Sequence, residues 1–483
     1  MNRAIKRLGI LLGVLIFALL VNVNVQQVLL ADETNQRGGN QRTVLEEYDR
    51  ARGPILVGTD PVAHSIPTAD QYKYLRVYSD PKLYAPVTGF YSLLYGATGI
   101  ERTENSILNG SSDLFFIDRI QELLSGRTPA GGAVTLTLNA AAQRAAFEGL
   151  GSKVGSVLAI EPSTGAILAM ASTPSFDPNR LSSHDQTEIQ KYYEQLQADP
   201  TQPLRNRPLV SNPPPGSTFK LITSAAALES GKFNPNSVIP GPAKYRLPGT
   251  VTDVPNWNGR ECGPGGKTTL AHALAISCNS AYLWLGNQLG QDALRSQAEK
   301  FGFNNSMTVP LRAATSRYPD GLDASQTALT AIGQFNVTAT ALQMALVGAA
   351  VGNGGVGMNP YLVKEIRGPD LQVVQSAKPS PFGRAMSPEN ASAEMSMMVG
   401  VVNSGTGSNA QISGVQVGGK TGTAETGAGR SNVAWFVAVA PANSPKVAVA
   451  VNIEDAGGQA EVSGNGLAAP IARAVIEAIL AGQ

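Results

Sequence analysis

The chain has 483 residues, enough for two or more domains and a full-sized core. Its 37 basic and 36 acidic side chains leave a net charge of +1, which removes the electrostatic case for a nucleic-acid partner. Three histidines (His64, His184, His272) and two cysteines (Cys262, Cys278) stand at no metal-ligand spacing, so no zinc site is expected.

At the N-terminus Arg3, Lys6 and Arg7 precede an apolar run from Leu8 to Val21, extended by Val23, Val25 and Val28-Leu29-Leu30. The strongly apolar part is short for a span of about 20 residues. A cleaved signal would want small residues before the cut, and no convincing site stands near Leu29-Leu30-Ala31. An uncleaved signal anchor over 9–30 fits better, with a cytoplasmic tail at 1–8 and the main body outside. Residues 31–130 form a distinct section. It opens on a polar linker, Asn35 to Asn40, and continues through Arg52-Gly53-Pro54 into a stretch carrying Tyr72, Tyr74, Tyr78, Tyr84, Tyr91 and Tyr95. Its mixed pattern reads as a small extended spacer or docking domain.

From Gly131 the texture changes. Val134–Leu138 reads as a strand and Ala140–Leu150 as a helix. Val157–Ile160 and Ala166–Met170 form a hairpin about Glu161-Pro162-Ser163-Thr164-Gly165. A helix-rich section runs from about Asp185 to Met344. Strands return at Val415–Val417, Ala434–Val439 and Lys446–Val451, and an apolar helix closes the chain at Ile471–Leu480. Antiparallel strands from the two ends can share one sheet with helices against it, which makes 131–483 an α+β domain.

Three stretches carry chemistry. In Pro213-Pro214-Pro215-Gly216-Ser217-Thr218-Phe219-Lys220 a rigid approach stops at a helix, predicted over Leu221–Ser230 and ended by Gly231. Ser217 and Lys220 then share a face at its N-terminal end. A serine hydroxyl needs a base, and a lysine taken out of water or set near a second cation can be one. The second stretch, Ser277-Cys278-Asn279, falls in a turn between two helical patterns. Its hydroxyl can pass a proton, and its amide can hold a peptide. The third, Lys420-Thr421-Gly422-Thr423, follows the predicted strand Val415–Val417. Glycines there let a substrate backbone add to the edge, while Lys420 and the two threonines suit a carboxylate. Taken alone, each stretch is also an ordinary turn or cap. Cys262 and Cys278 could be bridged outside the cytoplasm or be two unrelated thiols.

Together, in this order, Ser-x-x-Lys, Ser-x-Asn and Lys-Thr-Gly are the motif set of serine β-lactamases and penicillin-binding proteins. The chain resembles the class B penicillin-binding proteins over nearly its whole length, most of all their actinobacterial A-type members. The anchor, Arg52-Gly53, the stretch Gly155 to Pro178 and Gly333-Gln334 add to the match. The resemblance implies a β-lactamase/transpeptidase-like fold: an antiparallel sheet flanked by helices, a helical subdomain, a small non-catalytic N-terminal domain and a membrane helix. It implies D,D-transpeptidation with Ser217 as the acylated nucleophile, Lys220 as its base and Ser277 as proton relay. Asn279 would bind the donor, and Lys420, Thr421, Gly422 and Thr423 its carboxylate. The oxyanion hole would be the N–H groups of Ser217 and Thr423. No metal or organic cofactor enters. Partners would be peptidoglycan stem peptides, lipid-linked or on nascent glycan, β-lactams, the plasma membrane, and cell-wall synthesis or division proteins. Family members often read Gly-Gln-Gly where this chain has Gly333-Gln334-Phe335, which puts the loop shape in question. The alternatives are a D,D-carboxypeptidase or β-lactamase-like hydrolase, or a non-enzymatic β-lactam sensor or division scaffold.

Overall fold

The computed structural model describes residues 2–25, 48–116, 130–307, 309–424, 432–456 and 462–482. The polar linker expected at 35–40 and the end of the expected anchor, 26–30, lie outside them. Helix α1 (Asn2–Asn24) contains a 20-residue stretch, Ile5–Asn24, of mean hydropathy 2.0 with none of it buried. Such a helix is a candidate membrane anchor.

Strands β1 (Ile55–Val57), β2 (Asp60–Pro67) and β3 (Tyr74–Tyr78) follow in antiparallel succession. Strand β4 (Ala133–Leu136) lies parallel to β1. Helix α2 (Ala140–Leu150) is capped by Asn139, whose Oδ1 accepts from Ala142 N at 2.9 Å. The hairpin is β5 (Val154–Ile160) and β6 (Ile167–Thr173). In the helical middle come α3 (Lys220–Glu229), α4 (Leu270–Ala275), α5 (Asn279–Leu289) and α6 (Ala341–Gly352). Strands β7 (Val363–Arg367) and β8 (Val373–Ser376) precede α7 (Pro388–Asn403). The chain ends with β9 (Gly418–Ala424), β10 (Val433–Ala440), β11 (Val447–Asp455) and α8 (Ala469–Ala481).

Two sheets organise these elements. The five-stranded one has the order β9-β10-β11-β5-β6 and is antiparallel throughout, so strands from both ends of the section that begins near residue 131 do share a sheet. Side chains alternate across it. Ala434, Phe436 and Ala438 enter one core with α2 and α8, while Val433, Trp435 and Val437 enter the other with α6. Both faces are buried, which explains why β10 reads as a continuous apolar run. The six-stranded sheet has the order β8-β7-β4-β1-β2-β3, and it draws strands from both sides of residue 131.

Two local expectations need correction. Val415–Val417 is not a strand; Val415 makes only an isolated bridge to Ile412, and the strand begins at Gly418. The Lys420 motif therefore lies inside β9 rather than after a strand. Its Gly-Gly-Lys-Thr-Gly composition has low strand propensity, and pairing with β10 overrides it. The helix after Ser217 starts at Lys220, preceded by one 3₁₀ turn, Gly216–Phe219.

Candidate active site

The serine turn is fixed from three sides. Trp435 Nε1 of β10 donates to Pro214 O at 2.9 Å, Thr218 Oγ1 to Pro215 O at 2.7 Å, and Gly216 N to Gly333 O at 3.1 Å. Gly216 has φ +53°, a left-handed value that glycine takes without strain. A Cβ on Gly333 would stand 2.1 Å from Gly216 O, and one on Gly216 would stand 2.8 Å from Thr423 O. The turn is thus wedged between the Gly333 loop and β9. Gly216, Thr218, Phe219 and Lys220 are buried, and Ser217 alone of the five is partly exposed. Phe335 and Asn336 keep left-handed φ values of 53° and 56°. The chain therefore holds a glycine-type backbone there without the glycine, at a cost of about 1–2 kcal/mol for each residue.

Lys220 is wholly buried on α3. Its Nζ donates to Ser277 O at 2.8 Å, Asn279 Oδ1 at 2.8 Å and Ser277 Oγ at 3.2 Å. Lys420, also wholly buried, donates to the same Ser277 Oγ at 2.9 Å and to Thr421 O at 2.8 Å. Two amines from distant parts of the chain thus meet on one hydroxyl. Among the described residues neither has a carboxylate partner. Burial drives the Lys220 amine well below its usual range, and the charge of Lys420 pushes the same way. Burial lowers Lys420 to about 7.

The Ser277 turn between α4 and α5 is held tightly. Ser277 adopts φ +57° and is nearly buried. Cys278 is joined to Cys262 by a disulfide with Cα atoms 6.1 Å apart. Asn256 accepts from Ser280 N at 3.0 Å, and Asn279 Nδ2 donates to Pro255 O at 3.3 Å. The hydroxyl of Thr421 on β9 is hydrogen-bonded to that of Thr406, in the turn after α7, at 2.7 Å, and Thr406 N donates to Ala275 O at 3.0 Å. Thr423 is exposed, and Gly422 leaves room for the serine turn, since a Cβ there would lie 3.0 Å from Pro215 O.

The structure brings Lys220, Ser277, Asn279 and Lys420 into one hydrogen-bonded group and sets the Ser217 turn against the 422–423 part of β9. It does not pair Ser217 Oγ with Lys220. Among the described residues Ser217 makes no side-chain hydrogen bond, and the lysine's donors go to Ser277 and Asn279. Such contacts tighten when substrate binds. Thr406 and Trp435 hold the site but carry no sequence signal, because their contacts cross long sequence separations.

A family model described as the penicillin binding protein transpeptidase domain matches residues 155–477, and one described as the penicillin binding protein A dimerisation domain matches 52–134. The chain is 43% identical to peptidoglycan D,D-transpeptidase PbpA of Mycolicibacterium smegmatis over 489 residues, covering 99% of each. It is 41% identical to the Mycobacterium tuberculosis protein of the same name over 492 residues, covering 100% of each. The M. tuberculosis penicillin-binding protein A structure as a penicillin G acyl-enzyme superposes with a TM-score of 0.85 at 41% identity, covering 89% of this chain and 100% of that one.

Proposed function

The chain belongs to the penicillin-binding protein transpeptidases, and on that premise we propose that it is a peptidoglycan D,D-transpeptidase of cell-wall synthesis acting through an acyl-enzyme on Ser217. The observation that carries the residue assignments is the meeting of two buried, carboxylate-free lysine amines on Ser277 Oγ.

Uncharged Lys220 takes the Ser217 proton as Oγ attacks the carbonyl of the penultimate D-Ala. The oxyanion forms between the N–H groups of Ser217 and Thr423, which the close approach of β9 to the serine turn supports. The proton passes from the Lys220 ammonium to Ser277 Oγ, while Ser277 gives its own proton to the departing D-Ala amine. An amine of a neighbouring stem then attacks the acyl-enzyme, and the relay runs in reverse. Asn279 holds the donor backbone, and Lys420, Thr421, Gly422 and Thr423 hold the terminal carboxylate. A β-lactam acylates the same oxygen and stays.

In this reading 1–8 is a cytoplasmic tail, 9–30 a single-pass anchor oriented by Arg3, Lys6 and Arg7, 31–130 a spacer, and 131–483 the extracytoplasmic transpeptidase domain. The spacer faces cell-wall synthesis or division proteins. Penicillin labelling of the full chain tests the assignment. Ser217→Ala loses the covalent adduct while keeping its melting temperature, and mass spectrometry of the wild-type adduct finds Ser217 modified. An adduct on another residue sinks the reading. Main release of free acid in the presence of an acceptor amine would turn it to a hydrolase.

A further inference from the structure

Outside α1, the three most exposed large apolar side chains among the described residues are Val251 at 89%, Trp257 at 74% and Val238 at 66%. All three lie in the one segment that runs from α3 to α4, between the serine turn and the Ser277 turn. Singly exposed valines need no explanation. A tryptophan left in water is different, because it forgoes the largest apolar burial any side chain offers.

Trp257 is also presented rigidly. The residue before it, Asn256, is 4% exposed and serves as a hub. Its Nδ2 donates to Pro242 O at 2.9 Å and to Arg260 O at 2.7 Å, and its Oδ1 accepts from Ser280 N at 3.0 Å. Gly259 N closes the turn onto Asn256 O at 2.9 Å, and Gly259 has φ +67°. Five residues past the tryptophan, Cys262 is bonded to Cys278 of the Ser277 turn. Two residues before it, Pro255 O accepts from Asn279 Nδ2 at 3.3 Å. The indole therefore stands on a fixed turn, two residues along the chain from the Pro255 carbonyl that accepts from the amide assigned to the donor peptide.

We propose that Trp257 is a sugar platform: its indole face carries a pyranose ring of the glycan strand from which the donor stem hangs. The proposal rests on the donor-binding role given to Asn279. A stem of roughly five residues spans at most about 17 Å, so the glycan must lie near the mouth of the cleft when the stem's end is at Ser217. A pyranose offers one face of C–H groups and a rim of hydroxyls. A flat, electron-rich, solvent-exposed ring with few rotatable bonds suits that face at low entropic cost.

The test uses the full chain in detergent micelles and two donors with the same stem, one free and one bearing an N-acetylglucosaminyl-N-acetylmuramyl unit. In the wild type, kcat/KM is higher for the glycan-linked donor, chiefly through KM. In Trp257→Ala the ratio of the two kcat/KM values falls roughly three- to tenfold toward one, while Trp257→Tyr keeps most of it. Melting temperatures confirm that both variants fold. A wild-type ratio of one, or a ratio that Trp257→Ala leaves alone, overturns the proposal. Loss of the Ser217 penicillin adduct in the wild type would overturn the acyl-enzyme reading instead, so the two failures are distinguishable.

Discussion

In the six-stranded sheet region Arg52 and Arg76 close on Glu101; in the cleft Lys220 and Lys420 close on Ser277. Both places bury a pair of cations almost completely. Arg52 Nε meets Glu101 Oε2 at 2.5 Å, Arg76 Nε meets Oε1 at 2.7 Å, and Tyr78 OH adds a third bond at 3.2 Å. Burial alone would push the Glu101 carboxyl up, but the two guanidinium charges outweigh it and hold it below its usual range. Guanidinium groups cannot give up their protons, so the cluster is a structural brace. The lysines have only neutral acceptors: a hydroxyl, an amide and two carbonyls. With no anion to share, the lower-energy course is to shed a proton, and a buried amine becomes a base. The type of cation and the presence of a carboxylate together decide which outcome a buried pair reaches.

The strongest way to break the contrast is to make the site's base permanently charged. Lys220→Arg keeps a cation in the cleft but removes the proton acceptor, and acylation by penicillin G should slow about 10³-fold. In the wild type the acylation rate rises with pH as Lys220 loses its proton. It levels and falls above neutrality as Lys420, at about 7, loses the charge that holds the carboxylate. The arginine variant should lack the rising limb. Rates within tenfold of wild type, or an unchanged profile, would show that Lys220 is not the base.

The converse is to remove the carboxylate from the brace. Glu101→Gln leaves two guanidinium charges buried around a neutral amide and should cost about 3 kcal/mol in denaturant unfolding. The Glu101 pKa is lowered in the fold, so its contribution is present above the ordinary carboxylate range and disappears as pH falls through the depressed value. The gap between wild type and variant should therefore close in acid. A gap that widens there would place the cost elsewhere.

A third change carries the carboxylate into the cleft. Ser277→Asp sets an anion between the two amines, and aspartate tolerates the left-handed backbone at this position. Both lysines should then stay protonated, and penicillin acylation should fall about 10²-fold with no loss of melting temperature. Part of that loss reflects the missing relay hydroxyl. Ser277→Ala supplies the reference, and the aspartate variant should be slower than it at neutral pH.

The same contrast marks what could be read from the letters. The three motifs were legible because each is short and announces its own turn: three prolines and a glycine before Ser217, helical patterns on both sides of Ser277. Four strands of the five-stranded sheet, β5, β6, β10 and β11, were legible as apolar runs. The start of β9 was not, because glycines at 418, 419 and 422 conceal a strand that only its pairing with β10 creates. The meeting of Lys220 and Lys420 at Ser277 spans 57 and 143 residues, and no local pattern encodes it. Nor does any local pattern tie Arg52 to Glu101, 49 residues away, or join β7 and β8 to the sheet of β1.

Glu394 on α7 completes the comparison as the smallest test, being a buried charge of the opposite sign. It is wholly buried, and among the described residues neither of its oxygens has a hydrogen-bond partner. Burial pushes its carboxyl well above the usual range, as the lysines' burial pushes them down. A folded-state pKa above the unfolded one means that folding at neutral pH must take up a proton, so stability falls as pH rises past the ordinary carboxylate range. Glu394→Met fills a similar volume without the polar atoms and should stabilise the fold by about 1–2 kcal/mol at pH 7.5. The gain should shrink toward about pH 4, where the glutamate is protonated in both states. Thermal unfolding at the two pH values measures it. No gain at neutral pH, or a gain that grows in acid, would mean that Glu394 is paired after all, and the rule drawn from the two cation pairs would not extend to buried anions.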